Sequence, residues 1–477
     1  MLKKALLPML MSTLLLPSTA AHASFTLLGI GGLTGSAAGE NADLSGLSGT
    51  LEDGLPANIL GGLGSGFAHA GGNTFLALPD RGPNATPYNS AVDDTVSYID
   101  RFHTLDIVLS PNGGPGLPLS VTTKMNATTL LSSPTPLVYG TGAGLGVGSG
   151  APSQNTADTF YFSARSDNFD SGQTSGNPNN ARLDPESIRM SNNGKSVFIS
   201  DEYGPYVYQF DRATGKRIRS FTLPANLDVS NLSPQSAVEI SGNTSGRVAN
   251  KGMEGLALTP DGKTLVGIMQ APLVQDAADA ATKKLLRIVT IDIATGTTHE
   301  FGYKLTDGSG VSDIIAVNDH EFLVDERDGK GLGEGSTAKV KELFKIDITG
   351  ATDITNLTGT DAASAAVGKT QVLDLVQLLK DNGIGGDQIP SKVEGLAFGQ
   401  DVTIGGTLEH TLYVSTDNDF LPRDEGPNTF YVLGFTDDDL PSFVAQDIPE
   451  PRTIALLLSG LLGLHLVRRR GSLTPRS

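Results

Sequence analysis

The chain has 477 residues and a formal charge of −18, with 58 glycines, 26 prolines and neither cysteine nor tryptophan. The absence of cysteine excludes a disulfide framework, a thiolate metal site and a cysteine nucleophile. The negative charge opposes binding to a phosphate backbone, so no nucleic-acid partner is expected. A charged fraction of only 18% with so much glycine does not suit a coiled coil, while 38% hydrophobic residues suffice for a folded core.

The first element is a targeting segment. Lys3 and Lys4 precede an apolar run to Leu16, and Ala21-His22-Ala23 supplies small residues at a cleavage site, so residues 1–23 read as a signal peptide. The remaining chain to residue 448 carries 27 basic and 51 acidic side chains, a charge of −24.

Strand-turn units then recur at a loose spacing of 65 to 85 residues. Gly61 to Phe67 leads to a strand at Thr74 to Leu78 and then Asp80-Arg81-Gly82, with further strands at Thr104 to Leu109 and Leu119 to Lys124. Leu130 to Arg182 is a long Gly/Ser/Asn-rich insertion with one candidate strand, Thr159 to Ala164. The next unit begins at Glu186 and includes strands from Ser196, Tyr206 and Arg217. Another runs from Met253 to Leu305, a third from Ser312 to Ile348, and a fourth from Val393 to Phe435. Asn-Gly, Asp-Gly and Ala-Thr-Gly turns join strands rich in Val, Ile, Phe and Tyr. A lone sheet of this kind cannot bury both faces, whereas radial stacking buries them all. The expected fold is therefore an all-β propeller of about six blades, with five to seven admissible. Five blades are legible, and residues 24–60 with the end of the last unit are the candidate sixth. Thr370 to Lys380 is the best single-helix candidate.

The last element is a short tail. Pro449-Glu450-Pro451 precedes an apolar stretch, Ile454 to Val467, and Arg468-Arg469-Arg470. Fourteen helical residues reach about 21 Å, short of a hydrocarbon core of roughly 30 Å. This arrangement over 449–470 resembles the PEP-CTERM sorting signal of Gram-negative bacteria. The resemblance implies export, a transient anchor by a short transmembrane helix, an exosortase as partner, residence at the cell surface or outside the cell, and association with exopolysaccharide. A simple tail anchor is the alternative, and residues 471–477 form a basic tail.

Aligning the units places acids at two recurring positions. Glu186, Glu254 and Glu394 lie on the innermost strands, the positions expected to line a propeller's channel. Asp80, Asp201, Glu202, Asp325, Glu326 and Asp417 end the following strands. Carboxylates converging on one mouth repel each other. A hard divalent cation, Ca²⁺ in first place, resolves that conflict, with Asn418 available to its shell. The first set is the candidate catalytic group and the second the candidate metal ligands. Arg81, Arg327, Lys251 and Lys392 stand beside them and are candidates for holding a small anionic ester, while Arg182 precedes Glu186. The alternative is structural: acids that accept hydrogen bonds from turn amides or pair with these bases. Ser312-Asp313 stands where the other units have Glu-Gly or Glu-Ser, so the glutamate ring is incomplete.

Five pieces resemble the phytase-like family, also described as "esterase-like activity of phytase". They are Gly61 to Gly66 leading to Leu78-Pro79-Asp80-Arg81-Gly82; Asp184-Pro185-Glu186-Ser187-Ile188; Phe198 to Pro205; Asn250 to Leu256; and Lys392-Val393-Glu394-Gly395-Leu396. The resemblance spans roughly residues 45 to 435. It implies an exported propeller with phosphoric- or carboxylic-ester hydrolase activity. The competing function is a non-catalytic surface module that binds glycan or protein, or a Ca²⁺-stabilised scaffold.

Overall fold

The computed structural model describes residues 25–34, 42–84 and 87–449; the segments expected to be a signal peptide and, from Glu450 onward, a C-terminal sorting signal lie outside the described residues. The turns expected from sequence set the hairpins. Asp211 Oδ1 accepts the amide of Thr214, and Asp292 Oδ1 accepts that of Thr295, so one Asp-x-Ala-Thr-Gly turn serves two units. Gly215 and Gly296 close these turns at φ of 67° and 78°, where a side chain would be strained.

The strands assemble into five antiparallel blades. The first holds Gly66–His69, Thr74–Leu78, Arg101–Pro111 and Leu119–Leu130 from the channel outward. The inner strands of the next four are Pro185–Met190, Met253–Leu258, Gly310–Ala316 and Val393–Phe398. Five apolar clusters fill the spaces between neighbouring blades, one per interface. The cluster joining Phe67 and Phe75 to Tyr413 and Phe430 closes the ring between the last blade and the first. Each Phe or Leu buried there stabilises the fold by about 1.5–3 kcal/mol.

Five blades are the low end of the expected range, for a specific reason. Thr26–Leu33 does not start a sixth blade but pairs antiparallel with Asn428–Phe435, as the outer strand of the last blade. The insertion keeps its irregular character, with Ser132–Ser133 paired to Phe160–Tyr161 as its only ladder among the described residues. The helix expected at Thr370 to Lys380 is half strand. Lys369–Asp374 forms the outer strand of the fourth blade, with Leu373 opposite Leu343. The helix is Leu375–Asp381, and Asp374 caps it by accepting the amide of Gln377 at 2.9 Å.

Inner strands pack almost backbone to backbone. A Cβ on Gly255 would lie 2.8 Å from the Asp313 Cα, and one on Gly395 would lie 2.8 Å from the Phe67 Cβ. Hence a small residue follows each channel glutamate. The ladder register also slips at these points: between Pro185 and Ile188, Met253 and Gly255, Val311 and Ile314, and Val393 and Leu396. Such bulges re-aim a side chain, and here they fall at Glu186, Glu254, Ser312-Asp313 and Glu394.

Candidate functional site at the channel mouth

The channel has three levels. At the centre, Arg189 Nη2 binds Asp313 Oδ2 at 2.6 Å, and Arg189 also donates to the carbonyls of Phe67, Ile188 and Ile314. Asp313 accepts the Leu396 amide and the Ser187 hydroxyl, and Ser187 Oγ lies 3.4 Å from the Leu256 carbonyl. All five inner strands thus meet at one buried ion pair. Asp313, the departure from the Glu-Gly pattern, is the acidic half of that plug.

At the end where the inner strands finish, an apolar cavity of about 270 Å³ is lined by Met190, Leu258, Phe398, Phe443 and Ile448, among others. The segment after the last blade crosses it. The Val444 amide bonds the Val317 carbonyl, and Gln446 Nε2 bonds the Met190 carbonyl and Asn192 Oδ1.

The opposite end, where the inner strands begin, holds the charged residues. A pocket of about 160 Å³ is lined by Asp80, Arg81, Glu186, Glu202, Asn250, Lys251, Glu254, Gln270, Arg327, Lys392 and Glu394. All three channel glutamates and all four candidate anion-binding bases therefore converge here. Arg327 Nη2 lies 2.7 Å from Glu394 Oε1 and 3.7 Å from Glu254 Oε1, and its Nε donates to Ser312 Oγ. Serine in place of a fourth glutamate admits the guanidinium to the mouth. Arg81 donates through its backbone amide and Nη1 to Asp184, at 3.1 and 2.8 Å. Lys392 Nζ bonds Asp419 Oδ1 and lies 3.5 Å from Asp417 Oδ2. Lys251 is exposed and makes no ion pair among the described residues.

Burial without enough compensation moves these acids. Desolvation, with Glu254 as the nearest like charge, drives the Glu186 carboxyl well above the usual range; Glu202 moves the same way for the same two causes. Burial and then Asp417 raise Asp80 strongly. Burial pushes Glu254 up to about 7 against the pull of Arg327, and Asp417 to about 7 against that of Lys392.

The candidate metal ligands divide. Carboxylate oxygens of Asp184, Glu186 and Glu202 lie within 4.8 Å of one another, and so do those of Asp80, Asp417 and Asp419. Asp201, Asp325 and Glu326 are not in either group. Asp201 accepts the amides of Asp184, Tyr203 and Gly204, fixing the turn beneath Arg81. Glu326 lies on the other face of its strand, held by Lys369 at 2.6 Å and Tyr303 at 3.0 Å. Asp325 is buried below the pocket, pushed to about 8 by desolvation, with Oδ2 lacking a hydrogen-bond partner. Asn418 binds the amides of Gly62 and Phe420 and so shapes a loop. Arg182 pairs with Glu239 at 3.2 Å, outside the mouth.

Residues outside the candidate set are Asp184, Asp419, Gln270 and Asn250. Asp184 stands two positions before Glu186 and Asp419 two after Asp417, but both lie in loops beyond the strand ends, Asp419 at a φ of 48°, so loop geometry and not strand alternation brings them in. Only their closeness to Glu186 and Asp417 was legible in the sequence. Nothing local marks Gln270.

A family profile described as "Phytase-like: Esterase-like activity of phytase" matches residues 58–420. An uncharacterized secreted protein of Arthroderma benhamiae is 26% identical over 308 residues, an alignment covering 56% of this chain and 59% of that protein. The chain thus spans about six-tenths of that relative's length. Among solved structures, the periplasmic gluconolactonase of Pseudomonas aeruginosa is 11% identical, with a TM-score of 0.33, covering 87% of this chain and all of that one. A putative 6-phosphogluconolactonase from Bacteroides uniformis is 10% identical, with a TM-score of 0.29, covering 77% and 85%. No helix among the described residues is long and apolar enough to cross a membrane.

Proposed function

The chain belongs to the phytase-like family, and from that premise we propose that it is an exported, metal-assisted ester hydrolase acting on small phosphoesters at the acidic channel mouth. The observation that carries this reading is the convergence of Arg81, Lys251, Arg327 and Lys392 with Glu186, Glu254 and Glu394 around one pocket. Four cations suit a dianionic phosphoryl group. Glu254, held near neutrality, suits proton transfer.

In this reading Lys251 and Arg327 hold the phosphoryl oxygens, and Arg81 and Lys392 add positive potential from their ion pairs. Glu254 removes a proton from water as the water oxygen bonds to phosphorus. The ester P–O bond then breaks, and the proton passes from Glu254 to the departing alkoxide. Glu394 keeps Arg327 in place. An adjoining cavity of about 110 Å³ shares Lys251, Gln270 and Arg327 and would take the alcohol part. The fit of a divalent cation rests on Glu254 Oε2, which is buried with no hydrogen-bond partner beside three clustered carboxylates. Asp184, Glu186 and Glu202 would hold it. When bound, such an ion supplies charge stabilisation to a phosphoryl oxygen and lowers the pKa of water. Export by the N-terminal signal and retention through the PEP-CTERM-like tail, with exosortase and exopolysaccharide as partners, complete the proposal.

Turnover of phosphomonoesters, inositol phosphates and acyl esters, with Ca²⁺ and with EDTA, is the test. Cation-dependent phosphate release lost in Glu254→Gln supports it; no turnover of any ester favours a binding or scaffold propeller. The observation favouring that second reading is that three of the four bases already have carboxylate partners.

A further inference from the structure

The two carboxylate triads at the mouth are not equivalent. In Asp80, Asp417 and Asp419, the Lys392 ammonium is already seated, bonded to Asp419 and 3.5 Å from Asp417. Asp80 also accepts the Gly82 amide at 3.0 Å and Asp417 the Asp419 amide at 2.9 Å. In Asp184, Glu186 and Glu202, Arg81 approaches only Asp184. Glu202 accepts one amide, from Gly252 at 3.0 Å, and no hydrogen bond reaches the Glu186 carboxylate among the described residues. Beside them in the same pocket is Glu254, 3% exposed, with Oε2 unpartnered.

The geometry points to a divalent-cation site formed by Asp184, Glu186 and Glu202, with the Glu254 carboxylate lending negative charge beside it, selective for Ca²⁺ over Mg²⁺, whereas the second triad already holds the Lys392 ammonium and takes no metal. Charge supports it: three carboxylates beside Arg81 leave two negative charges for one divalent ion. The donor set supports it too. Three clustered carboxylates, each able to bind through one or two oxygens, suit the six to eight oxygens of Ca²⁺, whereas Mg²⁺ keeps several waters and takes one or two carboxylates. The inference goes beyond the hydrolytic reading, because the ion binds whether or not an ester is turned over.

The test is calorimetric titration and thermal unfolding of the purified full-length protein, stripped with EDTA and exchanged into chelator-free buffer at about pH 8. One saturable Ca²⁺ site is expected, with Tm rising on the order of 3 °C at a hundredfold excess over Kd. Mg²⁺ should bind at least tenfold more weakly. Glu186→Gln should abolish Ca²⁺ binding and raise the Tm of the cation-free protein, since it removes a repelling charge; a purely structural glutamate would lower it. Asp419→Asn should leave Ca²⁺ affinity within about twofold. Absence of saturable Ca²⁺ binding, wild-type affinity in Glu186→Gln, or loss of affinity in Asp419→Asn would each overturn the assignment. If Glu186→Gln does not fold, Glu254→Gln replaces it, with at least tenfold weaker binding expected and unchanged affinity counting against the site.

Discussion

Replacing Arg189 with methionine should unfold the propeller far more easily than any change at its rim. Arg189 is 5% exposed and Asp313 not at all, and the guanidinium makes four hydrogen bonds to groups of three blades. Removing one partner of such a pair strands the other charge, at about 3–5 kcal/mol. Adding Asp313→Asn should recover about 2 kcal/mol of this, because the stranded charge disappears while three carbonyls stay unpaired. The pH dependence has a definite sign. Burial already raises the Asp313 carboxyl above its usual value, and Arg189 and backbone amides oppose that rise. Without Arg189 it rises further, so the single variant gains relative stability as pH falls and Asp313 takes up a proton. Urea unfolding of the wild type and both variants at about pH 5 and pH 8 measures this. A loss below about 1 kcal/mol in Arg189→Met, or no recovery in the double variant, would refute the idea that this pair holds the ring together.

Further outcomes follow from the mouth. Glu254, Asp417, Asp201 and Asp325 have folded-state values of about 7, 7, 7 and 8, above those of an unfolded chain. Their protonated forms therefore favour the fold, and that stability is lost progressively as pH rises from about 4, the unfolded-state value, to the folded-state values of 7 to 8; Tm without cation should be higher at about pH 5.5 than at pH 8.5. If Glu254 is the base, kcat/KM rises with pH through about 7, and Glu254→Gln lowers kcat by roughly 10²–10⁴; a flat profile would remove it from that role. Lys251→Ala should weaken inorganic phosphate binding while changing stability by less than about 0.5 kcal/mol, whereas Arg327→Met should reduce both, since it leaves Glu394 without its cation.

Much of the channel was readable because its lining repeats. Glu254-Gly255 and Glu394-Gly395 announce inner strands whose bulges turn the acid inward and whose glycines admit the next blade. What the repeat could not convey is which face each strand-end acid takes. Asp325 and Glu326 are neighbours, yet one is buried beneath Arg327 and the other is tied to Lys369 between blades. The blade number could be bounded at five to seven but not narrowed to five, for a similar reason. Thr26–Leu33 pairs with a strand some four hundred residues away, and no local pattern distinguishes completing an old sheet from starting a new one. The helix at Leu375–Asp381 was overextended because Val372 and Leu373 satisfy helical and strand spacing alike.

Phe25, Phe435 and Phe443 pack in sequence, the first pair tilted and the second edge-on, with ring centroids 5.5 and 5.2 Å apart. Phe443 lines the apolar cavity. The described chain therefore begins and ends on the side remote from Lys251 and Glu254. The acidic aperture opens on the face opposite both ends of the described chain, where a dissolved molecule meets it without passing either of them.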